Sequence, residues 1–150
     1  VDILDQPAFI LEFEKILEKH NKSSVFYAHI GDGEIHLRPI LDLKKDTDRA
    51  LFYEITDDVA SLVKKFRGSL SGEHGDGRVR GYFVKKMIGE HNYKLLVDLK
   101  NTWDPHHIFN PGKIVEVPMM TEFLRYENNQ ETRDIQTYFD FSETEGILRM

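Results

Sequence analysis

Two histidines flank a glycine-rich turn in Ala28-His29-Ile30-Gly31-Asp32-Gly33-Glu34-Ile35-His36. Imidazole is a common ligand for divalent metals and a general base near neutral pH. Asp32-Gly33 carries the signature of a two-residue hairpin loop, because a type I′ turn needs positive φ at both central residues. A loop of that length sets Gly31 opposite Glu34, Ile30 opposite Ile35 and His29 opposite His36. Directly opposed residues share a face, with Cβ atoms about 4.5–5.5 Å apart. The two imidazoles can then converge on one ion. The same face carries Tyr27 and Arg38. The other face pairs Ile30 with Ile35, Ala28 with Leu37 and Phe26 with Pro39, which suits a core. Two surface histidines beside a turn would leave the same pattern.

A second group is Ser71-Gly72-Glu73-His74-Gly75-Asp76-Gly77-Arg78. Its glycines let the backbone bend tightly and approach a ligand, leaving Glu73 and His74 to project. A carboxylate with two imidazoles is a recurrent donor set for a catalytic metal with an open position. An ordinary glycine turn with polar side chains is the alternative. The third group, Trp103-Asp104-Pro105 through Ile108-Phe109-Asn110-Pro111-Gly112-Lys113-Ile114, reads by itself as a helix stop and a turn. Gly75-x-Gly77 is not a dinucleotide fingerprint, since the next glycine, Gly81, falls one position late. The sequence has no HExxH, P-loop or GxSxG.

The elements that must position these groups follow from periodicity. Residues 5–20 read as a helix with Pro7 near its start and Phe9, Ile10, Phe13, Ile16 and Leu17 at helical spacing. Residues 24–30 and 35–43 read as two strands. Residues 46–66 read as the clearest helix, with Leu51, Phe52, Ile55, Val59, Leu62, Val63 and Phe66 in one stripe. Asp46 or Thr47 is the expected cap and Gly68 the expected end. A short strand is expected over residues 69–71, then two short helices over 82–88 and 91–103. After Pro118 no clear period remains, and residues 118–150 read as a poorly anchored tail. The order gives an α+β class: an antiparallel sheet with helices packed on one face.

Composition narrows the function classes. The chain has 150 residues, 40% apolar and 31% charged, which suits one globular domain. Twenty basic against 26 acidic residues give a net charge of −6. That argues against nucleic acid, which needs clustered Lys and Arg. Without cysteine, thiolate metal sites and Cys nucleophiles are excluded within the chain. No apolar run is long enough to span a bilayer. A cytoplasmic location, or one peripheral to the inner face of the cytoplasmic membrane, is expected. The start at Val1 leads us to expect a piece of a longer protein.

The three groups, in this order, resemble the C-terminal cap or substrate domain of FAD-linked oxidases of the vanillyl-alcohol-oxidase type. The D-lactate, D-2-hydroxyglutarate and glycolate dehydrogenases are the nearest in pattern. The family pattern is H-x-G-D-G-N-x-H, then S-G-E-H-G-x-G, then D-P-x-x-x-x-N-P-G-K. Here these stand as His29–His36, Ser71–Gly77 and Asp104–Lys113. The resemblance implies a ferredoxin-like cap over residues 1–117 and oxidation of a 2-hydroxy acid by hydride transfer to flavin. It implies that His29, His36 and Glu73 hold a divalent metal, zinc being expected and manganese and iron suited to the same donors. It implies that His74 takes the hydroxyl proton, that Asn110 and Lys113 lie near the flavin, and that Arg80, with Arg78 beside it, faces an anionic group of the substrate. FAD would be bound mainly by an FAD-binding domain of the same protein, so the fragment alone should be inactive. Residues 131–150 resemble the linker that in fused relatives leads to an iron–sulfur domain, which a separate subunit could also supply; a homodimer is left open.

One departure stands out. Glu34 replaces the family's Asn after Gly33. A free-standing divalent-metal-binding or metallohydrolase module built on His29, His36 and Glu73 is the competing reading. A non-catalytic interaction domain with a degenerate site is the third.

Overall fold

The computed structural model describes residues 1–131, 135–140 and 143. A 3-10 turn at Ile3–Asp5 leads into α1, Gln6–Lys19, with Pro7 in the first turn, where its missing N–H leaves no bond unmade. Phe9, Phe13 and Leu17, four residues apart, form its buried stripe. β1 (Ser24–His29) and β2 (Glu34–Pro39) pair antiparallel. β2 ends at Pro39, opposite Ser24, short of the expected 43, and one further bond runs from the Ile40 N–H to the Ser23 carbonyl at 2.9 Å. α2 spans Asp46–Lys65 and α3 spans Val84–Trp103, with a 3-10 turn at Arg80–Phe83 between them.

The α+β class stands, and among the described residues the sheet has two strands. A two-stranded sheet is marginal unless one face is covered. Phe9, Phe13 and Leu17 of α1 and Ile55, Leu62 and Val63 of α2 form the main core, onto which Ile35 and Leu37 of β2 pack. Phe26 of β1 meets Phe13 edge-on, ring centroids 5.6 Å apart. The helices therefore cover one face of the hairpin and leave the other for chemistry. A second core joins Ala60 of α2 to Phe83 and Met120.

Several local expectations are corrected. Neither Asp46 nor Thr47 caps α2; Lys45 holds that position without a side-chain bond. Asp48, one turn in, instead accepts from Lys22 Nζ at 2.7 Å and from the Asp42 N–H at 2.7 Å. The Lys22 ammonium, then the Asp42 N–H, hold its carboxyl below the usual range. Because Lys22 precedes β1 and Asp42 follows β2, this one carboxylate ties both ends of the hairpin to α2. The left-handed residue ending α2 is Arg67 (φ 53°), one before Gly68. The Gly68 N–H then closes the last turn onto the Val63 carbonyl at 2.9 Å.

Residues 69–71 form no strand. The two helices expected after residue 80 are present: within α3 two helical segments meet at a kink at Gly89, whose φ of 83° and ψ of 164° are not helical. Residues 119–131 are tied to the domain at several points. Met120 is 1% exposed, the Arg49 guanidinium donates to the Tyr126 carbonyl, and the Asn129 N–H donates to the Lys44 carbonyl at 2.8 Å. An irregular segment that contributes one core side chain shows no period. The linker-like stretch beyond Glu131 lies largely outside the described residues. No helix among the described residues is long and apolar enough to cross a membrane.

Asp104, expected only as a helix stop, organises the loop after α3. Its buried carboxylate accepts from Lys100 Nζ at 2.6 Å and from the N–H groups of Ile108 at 2.8 Å and Phe109 at 2.9 Å. Lys100 chiefly, against the opposing effect of burial and with help from the two N–H groups, lowers its pKa from 3.8 to about 2. A depressed carboxylate stabilises the fold above its unfolded pKa and ceases to as pH falls through the folded one. Asp104→Asn should therefore unfold at lower temperature than wild type near neutrality. The gap should close between pH 3.8 and about 2; a gap unchanged by acid would refute the assignment. Phe13→Ala, which empties the contact beneath the hairpin, should cost about 3–5 kcal/mol in urea unfolding. A loss below about 1 kcal/mol would show that the hairpin does not depend on α1.

Candidate functional site

The hairpin loop is four residues, Ile30–Gly33, not two. His29 leaves the strand at φ −92°, ψ 72°, and a 3-10 turn at Ile30–Asp32 follows, closed by the Gly33 N–H on the Ile30 carbonyl at 3.2 Å. Only Gly33 takes positive φ (73°), and a Cβ there would lie 2.3 Å from the Val1 carbonyl oxygen. The register is therefore His29 opposite Glu34, Ala28 opposite Ile35 and Tyr27 opposite His36. The direct opposition of His29 and His36 is thus corrected. Side chains alternate with a period of two, so lengthening the loop by two residues preserves which face each one occupies. His29 and His36 remain on one face as diagonal neighbours, with ring centroids 5.3 Å apart. The pairing puts Tyr27, Glu34 and Arg38 on that face as well.

The turn after α2 brings the carboxylate. Glu73 Oε1 lies 3.5 Å from His36 Nε2, 3.8 Å from His29 Nε2 and 3.4 Å from His74 Nε2. The turn is built for close approach. A Cβ on Gly72 would lie 2.5 Å from Glu34 Oε1, so glycine lets the turn settle against the hairpin. Gly75 and Gly77 take left-handed φ of 69° and 58°. Arg80 closes the turn, donating to the Gly75 carbonyl from Nε at 3.2 Å and Nη2 at 2.6 Å. The Ile114 N–H donates to the Gly77 carbonyl at 2.7 Å, docking the third motif onto the second.

His29, His36 and Glu73 each offer one ligand atom, all within 4.8 Å of one another. Tetrahedral bonds of about 2.0–2.2 Å would space such donors roughly 3.3–3.6 Å apart. The observed spacings fit a divalent ion after small side-chain rotations. His36 is the inner wall, its side chain 10% exposed, whereas His29 (56%), Glu73 (46%) and His74 (61%) open to solvent. His74 sits beside this set, its ring centroid 5.6 Å from that of His36.

The remaining candidates lie apart from the donor set. Arg78 donates to the Phe123 carbonyl and Arg80 to that of Gly75. Asn110 and Lys113 are exposed on the loop after Asp104, and among the described residues no side-chain hydrogen bond or ion pair joins either to the cluster. Two features were missed in the sequence. Tyr27 stacks on His36 at 4.5 Å and 23°, a contact that only the true register reveals. The Ser71 hydroxyl is buried with no hydrogen-bond partner among the described residues.

Residues 1–114 match the family described as FAD linked oxidases, C-terminal domain. The chain is 37% identical over 117 residues to a D-2-hydroxyglutarate dehydrogenase of Escherichia coli (strain K12), covering 75% of this chain and 11% of that protein. It is 40% identical over 106 residues to one of Pseudomonas putida, covering 71% and 10%. It is 30% identical over 122 residues to a D-lactate dehydrogenase of Archaeoglobus fulgidus, covering 77% and 27%. The chain thus spans about a tenth of the length of the first two. With most of its length matched and all three motifs in order, the chain belongs to the family of FAD linked oxidase C-terminal domains.

Proposed function

We propose that this chain is the substrate- and metal-binding domain of an FAD-dependent dehydrogenase that oxidises a 2-hydroxy acid. The observation that carries this reading is the convergence of His29, His36 and Glu73 on one point with His74 beside it. Membership in an FAD-linked family and the names of the relatives supply the reaction class.

In this reading His29 and His36 each present Nε2 and Glu73 presents Oε1 to a divalent ion, zinc first. Bound there, the ion supplies Lewis acidity toward the substrate's hydroxyl and carboxylate, and flavin supplies the hydride acceptor. Tyr27 fixes the His36 ring by stacking on it. His74 accepts the hydroxyl proton on its imidazole. Glu73 Oε1, 3.4 Å from His74 Nε2, stabilises the imidazolium that results. Arg80 holds the turn that aims Glu73 and His74. Asn110 and Lys113, on the loop pinned by Asp104, face the flavin. The FAD-binding domain of the same protein holds the cofactor, and an iron–sulfur domain or subunit takes the electrons onward. The protein works in the cytoplasm or against the inner face of the cytoplasmic membrane.

Two substitutions in the full-length protein test these roles. His36→Ala should lower metal stoichiometry, read by elemental analysis, and abolish turnover; unchanged metal content and activity would end the metal assignment. His74→Gln should keep the metal and lower kcat by about 10²–10⁴-fold. An effect confined to KM would count against a proton-transfer role.

A further inference from the structure

Building on the metal-binding part of the proposed reading, we infer that Arg38 is a positioning residue for His36 and acts on it through Tyr27. The three side chains form one chain of ring contacts, which holds the His36 ring at the angle from which Nε2 serves the ion. The register pairs Tyr27 with His36 and Val25 with Arg38, so Arg38 is the diagonal neighbour of Tyr27 on the same face. Tyr27 lies on His36 with ring centroids 4.5 Å apart and planes 23° apart. The Arg38 guanidinium carbon lies over the same Tyr27 ring, 5.0 Å from its centroid.

A metal-bound imidazole is ordinarily oriented by a hydrogen bond from its other ring nitrogen to a carboxylate or carbonyl. Among the described residues no group takes that role at His36 Nδ1. The flat contact with Tyr27 stands in its place, because a close and nearly parallel ring resists the χ2 rotation that would swing Nε2 out of line. Tyr27 is itself exposed, so it needs a restraint of its own. Arg38 supplies it: a planar guanidinium over an aromatic ring is attracted to that ring and is pre-organised to stay there. Arg38 is free for this task. Arg78 and Arg80 are bonded to backbone carbonyls, whereas among the described residues the contact of Arg38 is the Tyr27 ring. The donor spacings agree. His36 Nε2 is 3.5 Å from Glu73 Oε1, already the spacing of two donors on one ion, and its side chain is 10% exposed. His29, 56% exposed and meeting His36 edge-on, has its Nε2 3.8 Å from the same oxygen. His36 is thus the fixed donor, and the freer His29 and Glu73 adjust to it.

The test is made on the full-length flavoprotein, by chelator competition for zinc and by the visible spectrum of the cobalt-substituted protein. Tyr27→Leu should weaken zinc binding about 10-fold and alter the cobalt spectrum, the scale of losing a group that orients a metal-bound histidine. Tyr27→Phe, which keeps the ring, should stay within about twofold with the spectrum unchanged. Arg38→Met should weaken zinc binding about 2- to 5-fold. It should add no further loss in the Tyr27→Leu background, because its effect passes through that ring. Four results would overturn the inference: no loss from Arg38→Met, the same loss from it in both backgrounds, Tyr27→Phe as weak as Tyr27→Leu, or losses that track a fall in the melting temperature of the metal-free protein. Each of these leaves the metal reading standing. A full-length protein that binds no divalent ion would overturn that reading, and the inference with it.

Discussion

The pleat of the β1–β2 hairpin is the constraint on which the rest depends. Alternate residues of a strand face opposite ways, so Ile35 and Leu37 can pack on the helical core, and Phe26 can meet Phe13 at its edge, only if Tyr27, His29, His36 and Arg38 face away from it. Burial of the apolar face thereby fixes the orientation of the chemical face. A slip of one residue would bury the histidines and expose the core, which makes register and donor geometry one property. Asp48 reinforces this by binding Lys22 and the Asp42 N–H at the two ends of the hairpin.

The second requirement is close approach between chain segments distant in sequence. Glu73 reaches the histidines because Gly72 leaves room for the Glu34 carboxyl and because Arg80 gathers the turn through the Gly75 carbonyl. The loop set by Asp104 is linked to the same turn through the Ile114 N–H and the Gly77 carbonyl. The three motifs are therefore one assembly: a pleated wall, a glycine turn against it, and a loop that braces the turn. Glu34, a departure from the family pattern, occupies the seam between wall and turn.

This organisation explains what could be read from the sequence and what could not. The helix faces were legible, because Phe9, Phe13, Leu17, Ile55, Leu62 and Val63 recur at helical spacing and all enter the core. The shared face of His29 and His36 was legible, because facing depends only on parity, and a loop of two or four residues gives the same parity. The loop length itself was not. Asp-Gly advertises positive φ, but only Gly33 adopts it, while Asp32 belongs to a 3-10 turn. Long-range polar contacts were equally hidden. Nothing local marks Asp48 as the partner of Lys22, or Asp104 as more than a helix stop. Met120 lies in an aperiodic segment, so its burial against Ala60 and Phe83 carries no local signature.

The exposure of the donor set bears on how such a site works. His36 is walled in by the fold, whereas His29, Glu73 and His74 stand open on the other side. In water the fields of these groups are screened, and they act strongly only once solvent is excluded. Hydride transfer likewise needs its acceptor against the substrate carbon, and the Glu73 side chain is open to solvent. In the proposed reading the FAD-binding domain closes that side and brings the acceptor with it. Desolvation of the cluster and delivery of the cofactor then become a single event.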